Sequence, residues 1–169
     1  MIEVRPAAAE DAMDVARVHV RSWQSAYRGL IDQDYLDGLT PEARASRYTF
    51  GRVGLQHPYT LIAVDGSVIR GLASTCLCRD KDLANFGELI AIYVDPDHIG
   101  TGVGRLLMAA AREQLRRLGV TSAALWVLEG NVRARRFYER DGWRSDGGRR
   151  TETYGNAPVQ ELRYRRNPV

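Results

Sequence analysis

The spacing of apolar residues changes period several times along the chain, and each change predicts an element. Ile2-Glu3-Val4-Arg5 alternates with period two, as a half-buried strand does, and Pro6 ends it. From Glu10 or Asp11 the spacing becomes helical: Met13, Ala16, Val20 and Trp23 or Tyr27 recur on one face until Gly29. Asp32 to Leu39 predicts a short second helix. Pro41 opens a third piece to about Phe50, because proline suits a first helical turn. The period then returns to two. Tyr59 to Val64 and Val68 to Cys78 are strands joined by Asp65-Gly66-Ser67, a tight hairpin by its residue types, and Gly87 to Val94 is a third, ending at Asp95-Pro96.

The strongest helical pattern runs from Gly102 to Leu118. Val103, Leu107, Ala111, Leu115 and Leu118 share one face, Arg105, Arg112 and Arg116 another, and Gly119 suits the C-terminus. Ser122 to Leu128 predicts a strand and Val132 to Arg140 a short helix closed by Gly142. Trp143 to Arg150 and Val159 to Arg165 predict a final antiparallel pair around Tyr154-Gly155-Asn156. The order β, two or three helices, βββ, α, β, α, ββ describes an α+β chain. No repeat or linker interrupts it, so residues 1–169 are expected to form one domain.

A chain that is 44% hydrophobic and 27% charged has ordinary globular composition, which excludes disordered, collagen-like and coiled-coil classes. A domain of this size holds a core without disulfide or metal staples. The longest apolar run, Leu89 to Val94, falls far short of a bilayer span, and Glu3, Glu10 and Asp11 interrupt the N-terminal stretch where a signal peptide needs apolar residues. No membrane partner and a cytoplasmic location are therefore expected. Cys76 and Cys78 point to one face of an extended segment as buried or inert thiols. With His19, His57 and His98 scattered, no metal site is expected.

The net charge of +3 hides a division along the chain. Residues 1–99 carry 14 acids and 10 bases, and residues 100–169 carry 7 acids and 14 bases, so the second part favours an anion. Where that anion would sit is indicated by Ile92-Tyr93-Val94-Asp95-Pro96-Asp97-His98-Ile99-Gly100-Thr101-Gly102-Val103-Gly104-Arg105: a strand, a loop with alternate glycines, then the start of the amphipathic helix. Glycines let a ligand approach the backbone, and the first N–H groups of a helix are unpaired at its positive end, which makes a cradle for a pyrophosphate. A tight ligand-free loop is the alternative. No Lys follows Gly104, which disfavours a nucleoside-triphosphate loop, and Gly-x-Gly-x-Gly does not fit the Gly-x-Gly-x-x-Gly of dinucleotide folds.

Ile99-Gly100-Thr101-Gly102-Val103-Gly104 resembles the acyl-coenzyme A loop, Arg/Gln-x-x-Gly-x-Gly/Ala, of the GCN5-related N-acetyltransferases (the GNAT superfamily), with Ile99 in place of Arg or Gln. A second block, Asn131-x-x-Ala134-x-x-Phe137-Tyr138-Glu139-x-x-Gly142-Trp143, is similar to that family's C-terminal signature, and the two lie in the family's order. The resemblance implies an α/β three-layer form of the fold: a mixed, mostly antiparallel central sheet of about seven strands, splayed between the fourth and fifth, with about four flanking helices. It implies acetyl-CoA (coenzyme A) as cofactor. Backbone groups of Ile92, Tyr93 and Val94 would hold the pantetheine arm. The amides of Ile99, Gly100, Thr101, Gly102, Val103, Gly104 and Arg105 would hold the pyrophosphate, with Arg105, Arg133, Arg135 and Arg136 nearby. Asn131, Ala134 and Tyr138 would face the cofactor from one side of a helix.

Acyl transfer to an amine needs a deprotonated nucleophile, a polarised carbonyl and a protonated leaving thiolate. By residue match Tyr138 is the acid. Glu88, which on even parity shares a strand face with Ile90, Ile92 and Val94, is the candidate base, with Glu129 as competitor. Trp23, Tyr27, Glu88 and Tyr154, with Asp32, Asp34 and Asp37 close by, are candidates to contact a cationic acceptor through aromatic faces and charge. The expected activity is acetyl transfer to a small-molecule primary amine. A protein or peptide acceptor and a catalytically silent acyl-CoA-binding module are the alternatives, a homodimer is plausible, and nucleic-acid binding is disfavoured because the arginines are interleaved with acids.

Overall fold

In the computed structural model, which describes residues 1–52, 54 and 57–169, seven strands form one sheet. They are β1 (Ile2–Pro6), β2 (Tyr59–Asp65), β3 (Val68–Leu77), β4 (Gly87–Val94), β5 (Ala123–Leu128), β6 (Arg144–Tyr154) and β7 (Ala157–Arg166). Their order is β1-β2-β3-β4-β5-β7-β6, antiparallel throughout except where β4 meets β5. The helices are α1 (Ala12–Ala26), α2 (Gln33–Asp37), α3 (Pro41–Ala45), α4 (Val103–Arg117) and α5 (Val132–Arg140). The expected sheet is thus present, with five helices among the described residues where about four were expected.

The two faces of the sheet bury different apolar sets. On one, Val103, Leu107, Met108, Ala111 and Leu115 of α4, with Tyr138 of α5, pack on Leu89, Leu125, Leu162 and Tyr164. On the other, Val15 and Val18 of α1 pack on Ile62, Val64 and Leu72, and Leu36 of α2 on Leu128. The amphipathic spacing of α1 and α4 orients each helix toward its own face. Helix α3 stops at Ala45, short of the expected Phe50, because Tyr48 and Phe50 both turn onto the α1-side core with their rings stacked at 4.5 Å. Residues two apart cannot share a helix face, so that packing excludes a continued helix.

Strand β4 carries an extra residue. Ala91 pairs with Ser74 and Leu89 with Thr75, which leaves Ile90 as a bulge. The bulge shifts the alternation by one: Leu89, Ile92 and Val94 all meet the α4-side core, while Tyr93 packs on the α1 side. Glu88 therefore faces away from Ile92 and Val94, on the side of Tyr93. The shared face expected from even parity is corrected by this single residue.

Candidate active site

Strands β4 and β5 pair only at Gly87 with Ala123 and Glu88 with Ala124. Beyond Glu88 they separate, while β5 remains paired with β7 from Ala123 to Leu128. The edge of β4 from Leu89 to Val94 thus presents backbone N–H and C=O groups to an opening, and unpaired groups of this kind readily accept an extended ligand. Ile92, Tyr93 and Val94 lie half-buried along it.

At the end of β4 the chain turns through Asp95, whose Oδ1 accepts the Asp97 N–H at 3.0 Å. Arg21 reaches across from α1, donating to Asp95 Oδ2 at 2.6 Å and to Asp97 Oδ2 at 3.0 Å. Gly100 and Gly102 have φ of +80° and +94°, left-handed values that a side chain would strain. Thr101 is held by its hydroxyl donating to the His98 carbonyl, and Ile99 is 41% exposed. Helix α4 begins at Val103 with no side-chain cap, so the N–H groups of Val103, Gly104 and Arg105 are left without intrahelical or capping acceptors. A Cβ on Gly104 would meet the Phe137 ring at 3.3 Å, so the first turn of α4 lies close to α5.

Asn131 caps α5, its Oδ1 accepting the Ala134 N–H at 3.2 Å. Tyr138, two turns on, is 8% exposed, and burial, reinforced by Tyr93, pushes its hydroxyl well above the usual tyrosine range. The phenol therefore keeps its proton. Arg135 is committed within the fold, with Nε donating to the Tyr164 hydroxyl at 3.1 Å and Nη1 to the Glu129 carbonyl at 2.9 Å. Of the four arginines expected near the phosphates, it has two of its nitrogens engaged elsewhere.

On the α1 face, aromatic rings gather over the opening. Trp23 lies 4.8 Å from Tyr27, 5.5 Å from Tyr154 and 6.3 Å from Tyr93, centroid to centroid, and His19 lies 4.7 Å from Tyr93. Burial pushes the Tyr27 hydroxyl well up, with Tyr93, Tyr138 and Tyr154 adding to the effect, which places the four phenols in one electrostatic neighbourhood. Asp32 does not line this group freely: its Oδ1 caps α2 and its Oδ2 accepts the Asn156 N–H at 2.9 Å, fastening the β6–β7 hairpin over the helix.

The two candidate bases are already engaged. Glu88 is 3% exposed and accepts from Arg79 through Nη2 at 2.7 Å, Nε at 3.1 Å and the backbone N–H at 3.1 Å. Glu129 pairs with Arg149 at 2.6 Å near the surface. Among the described residues no cluster of His, Cys, Asp and Glu is arranged to hold a metal ion, and no helix is long and apolar enough to cross a membrane.

The model of the acetyltransferase (GNAT) family matches residues 20–143, which includes the glycine loop, the splay and all of α5. The chain belongs to the acetyltransferase (GNAT) family. It is 35% identical over 131 residues to the uncharacterized N-acetyltransferase YuaI of Bacillus subtilis (strain 168), an alignment covering 78% of this chain and 74% of that one. It is 22% identical over 166 residues to a spermidine N(1)-acetyltransferase of Thermoplasma acidophilum, covering 96% and 98%. The crystal structure of the PaiA N-acetyltransferase from Thermoplasma acidophilum in complex with coenzyme A superposes with a TM-score of 0.75 at 18% identity, covering 99% of each chain.

As a GNAT protein the chain is an acetyl-CoA-dependent acyltransferase. The uncapped α4 N-terminus, the two left-handed glycines and the open edge of β4 fit that cofactor: donors for a pyrophosphate, then a backbone ladder for an amide-containing arm. Three residues beside this GNAT site escaped the sequence reading. His19 carried a signal, since it precedes Trp23 and Tyr27 by one and two helical turns. Arg21 and Glu161 carried none that separates them from a solvated face.

Proposed function

We propose that the chain transfers the acetyl group of acetyl-CoA to the primary amine of a small molecule, with residues 1–169 acting as one catalytic domain. The observation that carries the acceptor class is the aromatic cluster of Trp23, Tyr27, Tyr93 and Tyr154 at the open edge of β4, beside α2 and the β6–β7 hairpin that the Asp32–Asn156 bond holds together. A hairpin tied down on that side leaves less room for a folded protein chain than for a slim amine, and aromatic rings suit a cation. The spermidine acetyltransferase among its relatives is consistent with that class.

When bound, acetyl-CoA supplies the activated thioester. The backbone groups of Ile92, Tyr93 and Val94 bind the pantetheine arm. The amides from Ile99 to Arg105 bind the pyrophosphate, and Asn131 and Ala134 border the arm from α5. Tyr138, whose buried phenol keeps its proton at working pH, is the group from which the departing sulfur would take one. Glu88, gripped by Arg79, fixes the start of β4 rather than exchanging protons, and the reacting amine enters as its free base, its proton lost to solvent water.

Release of free coenzyme A thiol, followed across a panel of alkylamines, diamines, polyamines, amino acids, aminoglycosides and peptides, tests the reading. Turnover of small amines and not peptides supports it. Peptide-only turnover replaces the acceptor class, and tight acetyl-CoA binding with no turnover replaces catalysis with a binding role.

A further inference from the structure

One buried carboxylate on the acceptor face has no part in the mechanism above. Glu161 lies on β7 opposite Leu128 of β5, where β5 has parted from β4, and is 6% exposed. Its alternation with Leu162 and Tyr164, which enter the α4-side core, turns it toward the α1 face. Arg150 Nε donates to its Oε1 at 2.7 Å, and the Arg150 guanidinium stacks on Trp126 at 4.4 Å, which fixes that contact. Oε2 is different. Its partner is the Tyr154 hydroxyl at 3.5 Å, the outer limit of a hydrogen bond, and the charge of Glu161 also reaches Tyr93.

Burying a carboxylate is costly unless its oxygens are well supplied with donors, and Oε2 is under-supplied. The groups around it are the rings of Tyr93 and Tyr154, with Trp23 beyond; the buried Trp23 Nε1 faces Tyr93 without a hydrogen bond of ordinary geometry. An anionic oxygen short of donors and beside an aromatic cluster is complementary to an ammonium group, which brings three donors and a positive charge and has no acceptor of its own.

We infer that Glu161 Oε2 receives a second, non-reacting ammonium group of a diamine or polyamine acceptor beside the cluster of Trp23, Tyr93 and Tyr154, making Glu161 the specificity-determining residue for amines that carry a second positive charge. This rests on the proposed acetylation of a small amine. Arg150 has a supporting part: by occupying Oε1 it leaves Oε2 on the side of Tyr154. Arg163, also on this face, does not compete, because Asp80, Asp82 and Asp146 take its donors.

The test takes the best diamine or polyamine from the thiol-release panel and compares wild type with Glu161→Gln and Glu161→Asp. The isosteric Gln removes the charge and is expected to raise KM for the amine about tenfold or more, as loss of a charge-assisted contact does. Turnover at saturating amine and the calorimetric Kd for acetyl-CoA stay close to wild type, a split that a merely structural role would not produce. Asp, which withdraws the carboxylate by one methylene, gives an intermediate rise and carries the test should the Gln variant misfold. An unchanged KM in the folded variants, or a fall in kcat with KM unchanged, overturns the inference alone. Absence of any small-amine turnover by wild type overturns the acceptor reading and the inference with it.

Discussion

Arg79 grips both carboxylate oxygens of Glu88, with Nε 3.1 Å from Oε1 and Nη2 2.7 Å from Oε2. Glu88 is the last residue of β4 to pair with β5 before the strands part, so this ion pair anchors the segment that follows β3 to the closed base of the splay. The pairing is strong enough to raise the Arg79 pKa, hydrogen bonding to Glu88 being the main cause. Because the Arg79 side chain is 61% exposed, it regains water when its partner is lost. Glu88→Gln is therefore expected to cost about 1–2 kcal/mol in urea unfolding and to leave the pH profile of kcat unchanged. A profile whose acidic limb moves in this variant restores the base role to Glu88.

Tyr138 sits in an environment that opposes ionisation, so its proton is retained well beyond the range in which an ordinary tyrosine loses it. Tyr138→Phe keeps the ring and removes the acid. It is expected to lower kcat by about 100-fold while acetyl-CoA affinity and melting temperature stay near wild type. In the wild type, no alkaline fall in kcat below pH 10 arises from this group, whose ordinary value is 10.0. Wild-type rates in Tyr138→Phe would remove it from the chemistry.

His19 reports on the same cluster from the other side. Its Nδ1 lies 3.0 Å from the Tyr48 hydroxyl, and burial, with Arg44 adding, pushes its pKa from 6.5 to about 3. The folded protein thus refuses a proton that the unfolded chain takes below pH 6.5. Stability from this residue is full above that value and is lost as pH falls toward 3, with a slope approaching 1.4 kcal/mol per pH unit, an order-of-magnitude figure. His19→Phe retains an aromatic ring and is expected to flatten the stability curve between pH 6 and 4. Urea unfolding at those pH values decides it, and equal slopes in the two proteins refute the burial argument.

Much of the fold was legible because local rules and tertiary structure agree. The period-two strands, the Val103 to Leu115 stripe and the glycine loop each specify an element and a buried face. What failed to show has identifiable causes. The Ile90 bulge shifts β4 by one residue without any signal in Leu89-Ile90-Ala91-Ile92, so the face assigned to Glu88 was inverted. Glu161-Leu162-Arg163-Tyr164 reads as a strand with one solvated side, yet Glu161 and Arg163 are both buried, because α2, the hairpin and the Asp80 and Asp82 carboxylates cover that side. Charge alternation reports which face is polar; it does not report which polar face is covered. The ends of α3 and the engagement of Arg135 depended likewise on partners distant in sequence.

Arg21 connects the two halves of the site. It stands on α1, half a turn from Trp23, and its guanidinium bridges Asp95 and Asp97 at the entrance to the glycine loop. The Asp95 side chain is 8% exposed, so loss of Arg21 leaves a buried carboxylate oxygen short of a donor and frees the turn that sets Ile99 to Gly102. Arg21 itself is half-exposed, which limits the effect to about 1 kcal/mol, or roughly fivefold in affinity. Arg21→Ala is expected to weaken acetyl-CoA binding by that factor in calorimetry, with kcat at saturating cofactor little changed. Arg21→Lys recovers only part, since one ammonium cannot reproduce the two-carboxylate bridge of a guanidinium. An acetyl-CoA Kd equal to wild type in Arg21→Ala would mean that the loop holds its shape through its glycines and the Asp95–Asp97 bond alone.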